Sequence, residues 1–292
     1  MKTFAYFIKQ SISFFALVRV QNVVMLSLAF ILTAKYFFVP HITFKDLFTD
    51  IYFVFLLLAT TLSIASGYII NSFYDFKKDL INRPEKTIIE QELAVNKKLY
   101  LYFLFNFLAV IIAGFISWRA ALFFSSYIFL IWLYSHKIVH YALVSNIMSS
   151  ILSIFPFFGI FLYFKKFEPF IFVLAVFLFL LLFVKDLLKD FITIKGDFAQ
   201  GNKSLPIILG EKKAKKILLW VSLLLLPIIY YLCVFDQLFL MKYYFVLFII
   251  VYYTGLVLFI KKPSFKVYYF YNLIKFLIIL GIFSISLYNR TF

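Results

Sequence analysis

The stretch Ile51–Ile70, "IYFVFLLLATTLSIASGYII", runs for twenty residues without a charge. A helix of about twenty apolar residues matches the hydrocarbon thickness of a bilayer, so such a run reads as a membrane span. Comparable runs recur at about nine places along the chain. They lie near 20–38, 51–73, 99–117, 119–135, 142–164, 168–188, 215–235, 240–260 and 271–288. With 65% hydrophobic and only 14% charged residues, the 292-residue chain carries more apolar surface than a soluble fold of this length can bury. The expected fold is therefore all-α, a polytopic membrane protein of about nine transmembrane helices.

The opening segment, "MKTFAYFIKQSISFFALVRVQN", is amphipathic but is interrupted by Lys9 and Arg19 and lacks a small-residue cleavage pattern. It is expected to be a retained lead-in rather than a secretory signal. The net charge is +16, and its placement along the chain is more informative than its size. With nine spans, Lys35, Lys45, Arg119, Lys165, Lys166, Lys242 and Arg290 fall on one side. Every other Lys and Arg falls on the side shared by the N-terminus and the loops after spans two, four, six and eight. The positive-inside rule makes that basic side cytoplasmic and places the C-terminus opposite, in the cytoplasmic (inner) membrane. This distribution accounts for the charge through orientation and anionic headgroups and implies no nucleic acid. No obligate protein partner is evident.

A single cysteine, Cys233, sits in an apolar run and permits no intrachain disulfide. The histidines His41, His136 and His140 are scattered, which makes a zinc site an unpromising reading. The acidic residues are more pointed, because only 13 Asp and Glu occur in the chain. Asn71, Asp75 and Asp79 follow one another at helical spacing as span two ends. Asp186, Asp190 and Asp197 follow span six, also read as one helical face, with Thr193 between the last two. Both sets emerge on the basic side.

A carboxylate costs roughly 2.5–3.5 kcal/mol at the bilayer centre and less near its surface, so clustered ones usually face a bundle interior and a partner. Helix-end charges paired with nearby lysines would account for any one of these aspartates. Two separate one-face sets on the same side call for more, since the carboxylates repel unless a cation lies among them. Mg²⁺ suits one or two carboxylates together with substrate phosphates. Arg83, Lys86, Lys185, Lys189 and Lys203 stand around the two sets and supply the positive charge a polyanion needs. The pattern describes a diphosphate held through Mg²⁺ at a membrane mouth.

These segments resemble the two aspartate-rich motifs of the UbiA superfamily of membrane prenyltransferases. The first motif of that family, N-D-x-x-D-x-x-x-D, is met by Asn71, Asp75 and Asp79, with Ser72 at its second position. "INRPEK" continues it through Arg83, Pro84 and Lys86. The segment "KDLLKDFITIKGDFAQGNKSLPIILG" is similar to the second motif, with Asp190 and Asp197 matching and Thr193 where an aspartate is usual. "LVRVQN" resembles the opening R-P-x-N signature through Arg19 and Asn22, with Val20 replacing the proline. "LYSHK" is similar to a Y-S-x-K segment through Tyr134, Ser135 and Lys137. "KGDFAQGNKSLP" most resembles the ether-lipid branch, the geranylgeranylglycerol-phosphate geranylgeranyltransferases.

The resemblance implies nine helices around a central cavity opening to the cytoplasmic side, and Mg²⁺-dependent transfer of an isoprenoid chain from a prenyl diphosphate. Mg²⁺ and basic residues would stabilise charge on the leaving oxygens, and an acceptor would capture the allylic cation. In the ether-lipid branch the acceptor is a lipid-phosphate hydroxyl; in quinone-making branches it is an aromatic ring carbon. Asp75, Asp79, Asp190 and Asp197 are the expected catalytic carboxylates, and Asn71, Asp75, Asp190 and Asp197 the expected metal ligands. Arg19, Asn22, Arg83, Lys86, Tyr134, Lys137 and Lys203 are the expected substrate-binding residues. The apolar interior would take the isoprenoid tail, with aromatic faces available to its cation. Among 43 Phe and 21 Tyr, however, no single ring stands out.

Ser72 and Thr193 each remove one expected carboxylate, which keeps open a prenyl-lipid binder without turnover. A transporter is the other alternative, but it would call for internal repeats and broken helices. The chain shows no repeat, has 8 Gly, and carries Pro156 and Pro227 as isolated residues within spans. The remaining organisation is that of one domain, 1–292, whose longest hydrophilic stretches, 76–98 and 189–213, carry the motifs. These stretches are expected to fold as short helices or caps, with Arg83 before Pro84 breaking the first of them.

Overall fold

A computed structural model describes residues 2–261 and 266–288. Lys262 and Arg290, both part of the charge distribution, lie outside the described residues. Among the described residues the regular elements are all helical. They are α1 (Lys2–Val18), α2 (Val20–Thr33), α3 (Phe44–Thr49), α4 (Ile51–Tyr74), α5 (Phe76–Asn82), α6 (Pro84–Gln91), α7 (Val95–Ile116) and α8 (Trp118–His136). There follow α9 (Ala142–Phe164), α10 (Pro169–Ile192), α11 (Ile194–Gln200), α12 (Leu205–Leu209), α13 (Glu211–Val234), α14 (Lys242–Lys261) and α15 (Val267–Ser284). Among the described residues, 8 helices are long and apolar enough to cross a membrane. The stretch expected near 119–135 forms α8, 19 residues long and carrying Arg119, Ser125, Ser126 and His136, but it is not among those 8, the first of which is Val20–Phe38.

The chain folds into two compact units. One comprises Met1–Ser27, Lys45–Tyr141 and Lys195–Asn202; the other comprises Leu28–Phe44, Ala142–Ile194 and Lys203–Phe292.

In the first unit, α4 packs against α7, α8 and α1, and α1 also packs on α6. Helix α4 starts where Asp50 caps it, accepting from the Tyr52 and Phe53 amides at 3.1 and 3.4 Å. Gly67 lets α8 come close, since a Cβ there would stand 3.1 Å from Ile131. Ser66 Oγ donates to Asn106 Oδ1 at 2.5 Å and ties α4 to α7. The lead-in helix α1 buries Ser13 and Leu17, and Gln10 Nε2 donates to the Glu92 carbonyl at 2.6 Å. Helix α5 ends at Arg83, and Pro84 opens α6, as expected of a residue pair that disfavours continuation but suits a first turn.

In the second unit, α10 packs against α9, α13 and α15, and α14 lies against α13 and α15. Ser222 and Tyr252 share a 2.7 Å hydrogen bond between α13 and α14, and Tyr253 donates to the Ser222 carbonyl at 2.6 Å. Pro156 and Pro227 lie inside α9 and α13, positions that membrane helices tolerate when neighbouring groups take up the freed carbonyl. The hydrophilic stretches expected to form short helices do so as α5 and α6 after α4, and as α11 and α12 after α10.

Candidate active site

The first acidic set lies where α4 gives way to α5. Asp75 sits between the two helices at φ −84°, ψ 6°, yet the i to i+4 ladder runs through it. The Asp75 amide donates to the Asn71 carbonyl at 2.9 Å, Asp79 to Asp75 at 2.8 Å, and Arg83 to Asp79 at 2.7 Å. Asn71, Asp75 and Asp79 therefore keep one face, as their spacing predicts. The second set departs from its expected single face. Helix α10 ends at Ile192 and a separate helix starts at Ile194, so Asp197 does not continue the row of Asp186 and Asp190. The break falls at Thr193, whose amide and Oγ1 both turn back to the Lys189 carbonyl, at 3.0 and 3.1 Å.

This break places Asp197 in the first unit, with the first acidic set, and leaves Asp190 in the second. In the first unit, Lys78 Nζ lies 2.5 Å from Asp197 Oδ1, with side chains 9% and 3% exposed. Asn202 Nδ2 donates to the same oxygen at 3.1 Å. Its Oδ1 then faces His140 Nδ1 at 2.6 Å, which makes that ring nitrogen the donor. The short helix α11 reaches this position through Gly196. Its amide donates to Asn82 Oδ1 at 3.3 Å, and a Cβ there would stand 2.6 Å from the Lys78 carbonyl. Gln200 Nε2 adds a bond of 2.8 Å to the Tyr74 carbonyl.

Arg19 joins α1 to α2 in the left-handed region, at φ 51°, a conformation that costs a non-glycine residue free energy and tends to persist where function requires it. Its Nη2 lies 3.9 Å from Asp79 Oδ2, its guanidinium sits 5.3 Å from the Tyr68 ring centre, and its Nε is buried without a hydrogen-bond partner among the described residues. Asp75 Oδ2 accepts from Asn71 Nδ2 at 3.0 Å. Ser72, at the place of an expected aspartate, donates to Glu90 Oε2 at 2.7 Å, and both residues are buried. Lys86 approaches the other Glu90 oxygen at 3.7 Å. Burial, and then the neighbouring Arg19 charge, lower the Lys86 ammonium from its usual range, while Glu90 opposes the shift. Arg83 and Tyr134 are half-buried, and Asn22 and Lys137 are exposed.

In the second unit, Asn146 Nδ2 donates to Asp190 Oδ2 at 2.9 Å. Asp186 is buried beside Lys185, 3.3 Å from Oδ1, and its Oδ2 has no hydrogen-bond partner among the described residues. Lys203 is exposed.

The sequence reading did not single out Lys78, Asn82, Glu90, His140, Asn146 or Asn202 as site residues. Lys78 was legible only as one cation among many. Its position directly before Asp79 was the available signal, but its burial required the fold. The donor set suits a hard divalent cation. Asn71, Asp75 and Asp79 offer oxygen ligands, two of them from buried carboxylates. Among the described residues no three His, Cys, Asp or Glu side chains gather into a closed cage. A Mg²⁺ ion on so few protein oxygens would take the rest of its shell from water or phosphate.

Long apolar helices, with buried carboxylates and cations interleaved at their ends, define an integral membrane protein. Residues 26–275 match the UbiA prenyltransferase family, and the chain belongs to that family. It is a membrane prenyltransferase. Digeranylgeranylglyceryl phosphate synthase of Methanobrevibacter smithii is 28% identical over 238 residues, covering 75% of this chain and 78% of the relative. A solved digeranylgeranylglyceryl phosphate synthase superposes with a TM-score of 0.70 at 20% identity, over 96% of this chain and 97% of the other. A UbiA homologue from Archaeoglobus fulgidus bound to DMAPP and Mg²⁺ gives a TM-score of 0.64 at 17% identity, over 94% and 99% of the two chains.

Proposed function

We propose that this prenyltransferase acts as a single domain that moves an isoprenoid chain from a prenyl diphosphate to the hydroxyl of a lipid phosphate of the geranylgeranylglycerol phosphate type. The observation that carries the reading is the interleaving of charge in the first unit. Asp79 faces Arg19 at 3.9 Å and Asp197 faces Lys78 at 2.5 Å, so acidic and basic groups alternate around one short stretch of α5. A diphosphate with a divalent ion has that same alternation. The name of the Methanobrevibacter smithii relative supports the lipid-phosphate acceptor, and the DMAPP and Mg²⁺ held by the Archaeoglobus fulgidus homologue support the donor and the metal.

In this reading Asn71 and Asp75 would hold Mg²⁺, Asp79 and Asp197 are further carboxylates of the first unit, and Asp190 is a candidate carboxylate of the second. When bound, the ion stabilises negative charge on the leaving diphosphate oxygens. Arg19, Arg83 and Lys86 bind the diphosphate and keep it oriented as the allylic C–O bond breaks and the electron pair leaves with it. Asn22, Tyr134, Lys137 and Lys203 are assigned to substrate or acceptor phosphate. The acceptor oxygen then bonds to the allylic carbon, and its proton passes to the released diphosphate. Ser72 and Glu90 act on Lys86 rather than on substrate, by fixing the carboxylate it approaches. A central cavity would take the isoprenoid tail and open to the cytoplasmic side of the inner membrane, with the N-terminus cytoplasmic and the C-terminus opposite.

The test is prenyl transfer by purified protein in detergent, with labelled geranylgeranyl diphosphate, Mg²⁺, and geranylgeranylglycerol phosphate, 4-hydroxybenzoate or a naphthoate as acceptor. Product with the glycerol phosphate lipid, lost with EDTA and in Asp75→Ala, is expected. Product with an aromatic acceptor alone would overturn the acceptor assignment, and diphosphate binding without any product would leave a lipid binder.

A further inference from the structure

The second acidic motif already holds a cation in this protein, and that cation is a side chain. Lys78 Nζ contacts Asp197 Oδ1 at 2.5 Å in a nearly water-free position. A surface ion pair of this length would mean little, because solvent screens it. Here the side chains are 9% and 3% exposed, and separating them would strand two buried charges. The geometry around the pair is also fixed. Asn202 donates to the same carboxylate oxygen at 3.1 Å and is itself held by His140 at 2.6 Å. Gly196 lets α11 settle against the Lys78 carbonyl, which sets the reach from Asp197 to α5.

The surrounding charge is altered to match. Two carboxylates that the resembled motifs carry are replaced here by Ser72 and Thr193, and both hydroxyls are engaged elsewhere. Ser72 donates to Glu90 at 2.7 Å and Thr193 to the Lys189 carbonyl at 3.1 Å. Two acidic motifs rich in carboxylates would each seat a divalent ion. With fewer carboxylates and a buried ammonium in contact with Asp197, a second ion there would meet a like charge at close range. An ammonium is a compact positive point charge, so it balances the Asp197 carboxylate as a metal ion would.

We propose that Lys78 takes the place of a metal ion at Asp197, neutralising that carboxylate with its own buried ammonium. The protein then binds one divalent ion per prenyl diphosphate, on the Asn71, Asp75 and Asp79 side. This rests on the diphosphate reading above and concerns only how its charge is balanced.

The experiment counts Mn²⁺ bound to the full chain in detergent, by electron paramagnetic resonance, in the presence of an unreactive geranylgeranyl thiodiphosphate. The wild type is expected to bind one Mn²⁺ and Lys78→Met two, while Lys78→Arg keeps the wild-type count. Asp197→Asn, which preserves shape, is expected to retain one Mn²⁺ and gives a decision even if Lys78→Met fails to fold. Two ions in the wild type, or loss of an ion in Asp197→Asn, would overturn the proposal while leaving the diphosphate reading in place. Absence of both Mn²⁺ and analogue binding in well-folded wild type would overturn the diphosphate reading, and this proposal with it.

Discussion

Ser72 donates to Glu90 at 2.7 Å, bringing a carboxylate from α6 to the position where the first acidic motif lacks its own. The replaced aspartate is thus not simply missing, because a negative charge reaches the same side chain from 18 residues further along the chain. Removing the hydroxyl with Ser72→Ala should lower stability by about 1.5–3 kcal/mol, the range for a hydrogen bond to a charged group. Ser72→Asp, which completes the motif on paper, should be worse, since two carboxylates would then be buried at contact distance. Combining it with Glu90→Gln should recover much of the loss. Melting temperatures of the four proteins in one detergent test this, and a Ser72→Asp variant as stable as wild type would contradict it.

Gly196 is the close point between α11 and α5. Its Cβ in an alanine variant would stand 2.6 Å from the Lys78 carbonyl, a backbone atom that cannot swing aside. Gly196→Ala should therefore cost about 1–3 kcal/mol by overpacking and move Asp197 away from Lys78. Prenyl transfer should fall with it. By contrast, Gly114→Ala should be nearly silent, because nothing lies within 4 Å of a Cβ there.

Arg19 separates backbone from side-chain effects. Its φ of 51° is easy for glycine and costly for alanine, by about 1–2 kcal/mol. Arg19→Gly should thus be more stable than Arg19→Ala by about 1 kcal/mol. Both should bind prenyl diphosphate poorly, because each removes the guanidinium that faces Asp79. Thermal unfolding and analogue binding read the two effects independently.

Lys86 supplies a pH dependence. Burial and Arg19 lower its ammonium from the usual lysine range in the free protein, and a bound diphosphate would raise it again. Below the free-state value Lys86 is charged before and after binding, so affinity is level. As pH rises through that value, binding must take up a proton and affinity falls. The decline should begin at lower pH than for an ordinary lysine, and Lys86→Arg should flatten it. Titration of the thiodiphosphate analogue against pH in the two proteins makes the comparison.

The extent of each helix shows where sequence reading stops. The apolar runs located the spans, and 142–164 coincides with α9. Helices α7 and α13, however, begin earlier than their runs and take in Lys97, Lys98, Lys212 and Lys213. Hydropathy marks only the apolar length of a helix, whereas the hydrogen-bond ladder runs on through the lysines at its start. The second acidic motif shows a different limit. Helical spacing put Asp186, Asp190 and Asp197 on one face, but Thr193 ends the ladder by bonding back to Lys189, and spacing carries no information across a break.

By itself the sequence determined the membrane setting, the helical class, the two acidic motifs and the family, because each depends on residues close together in the chain: apolar length, helical period, motif spacing. Only the tertiary structure decided that Lys78 is buried against Asp197, that Glu90 answers Ser72, and that Asn146 holds Asp190. These pairs join residues far apart in sequence. Whether a charged side chain meets water or another charge is set by the packing that surrounds it.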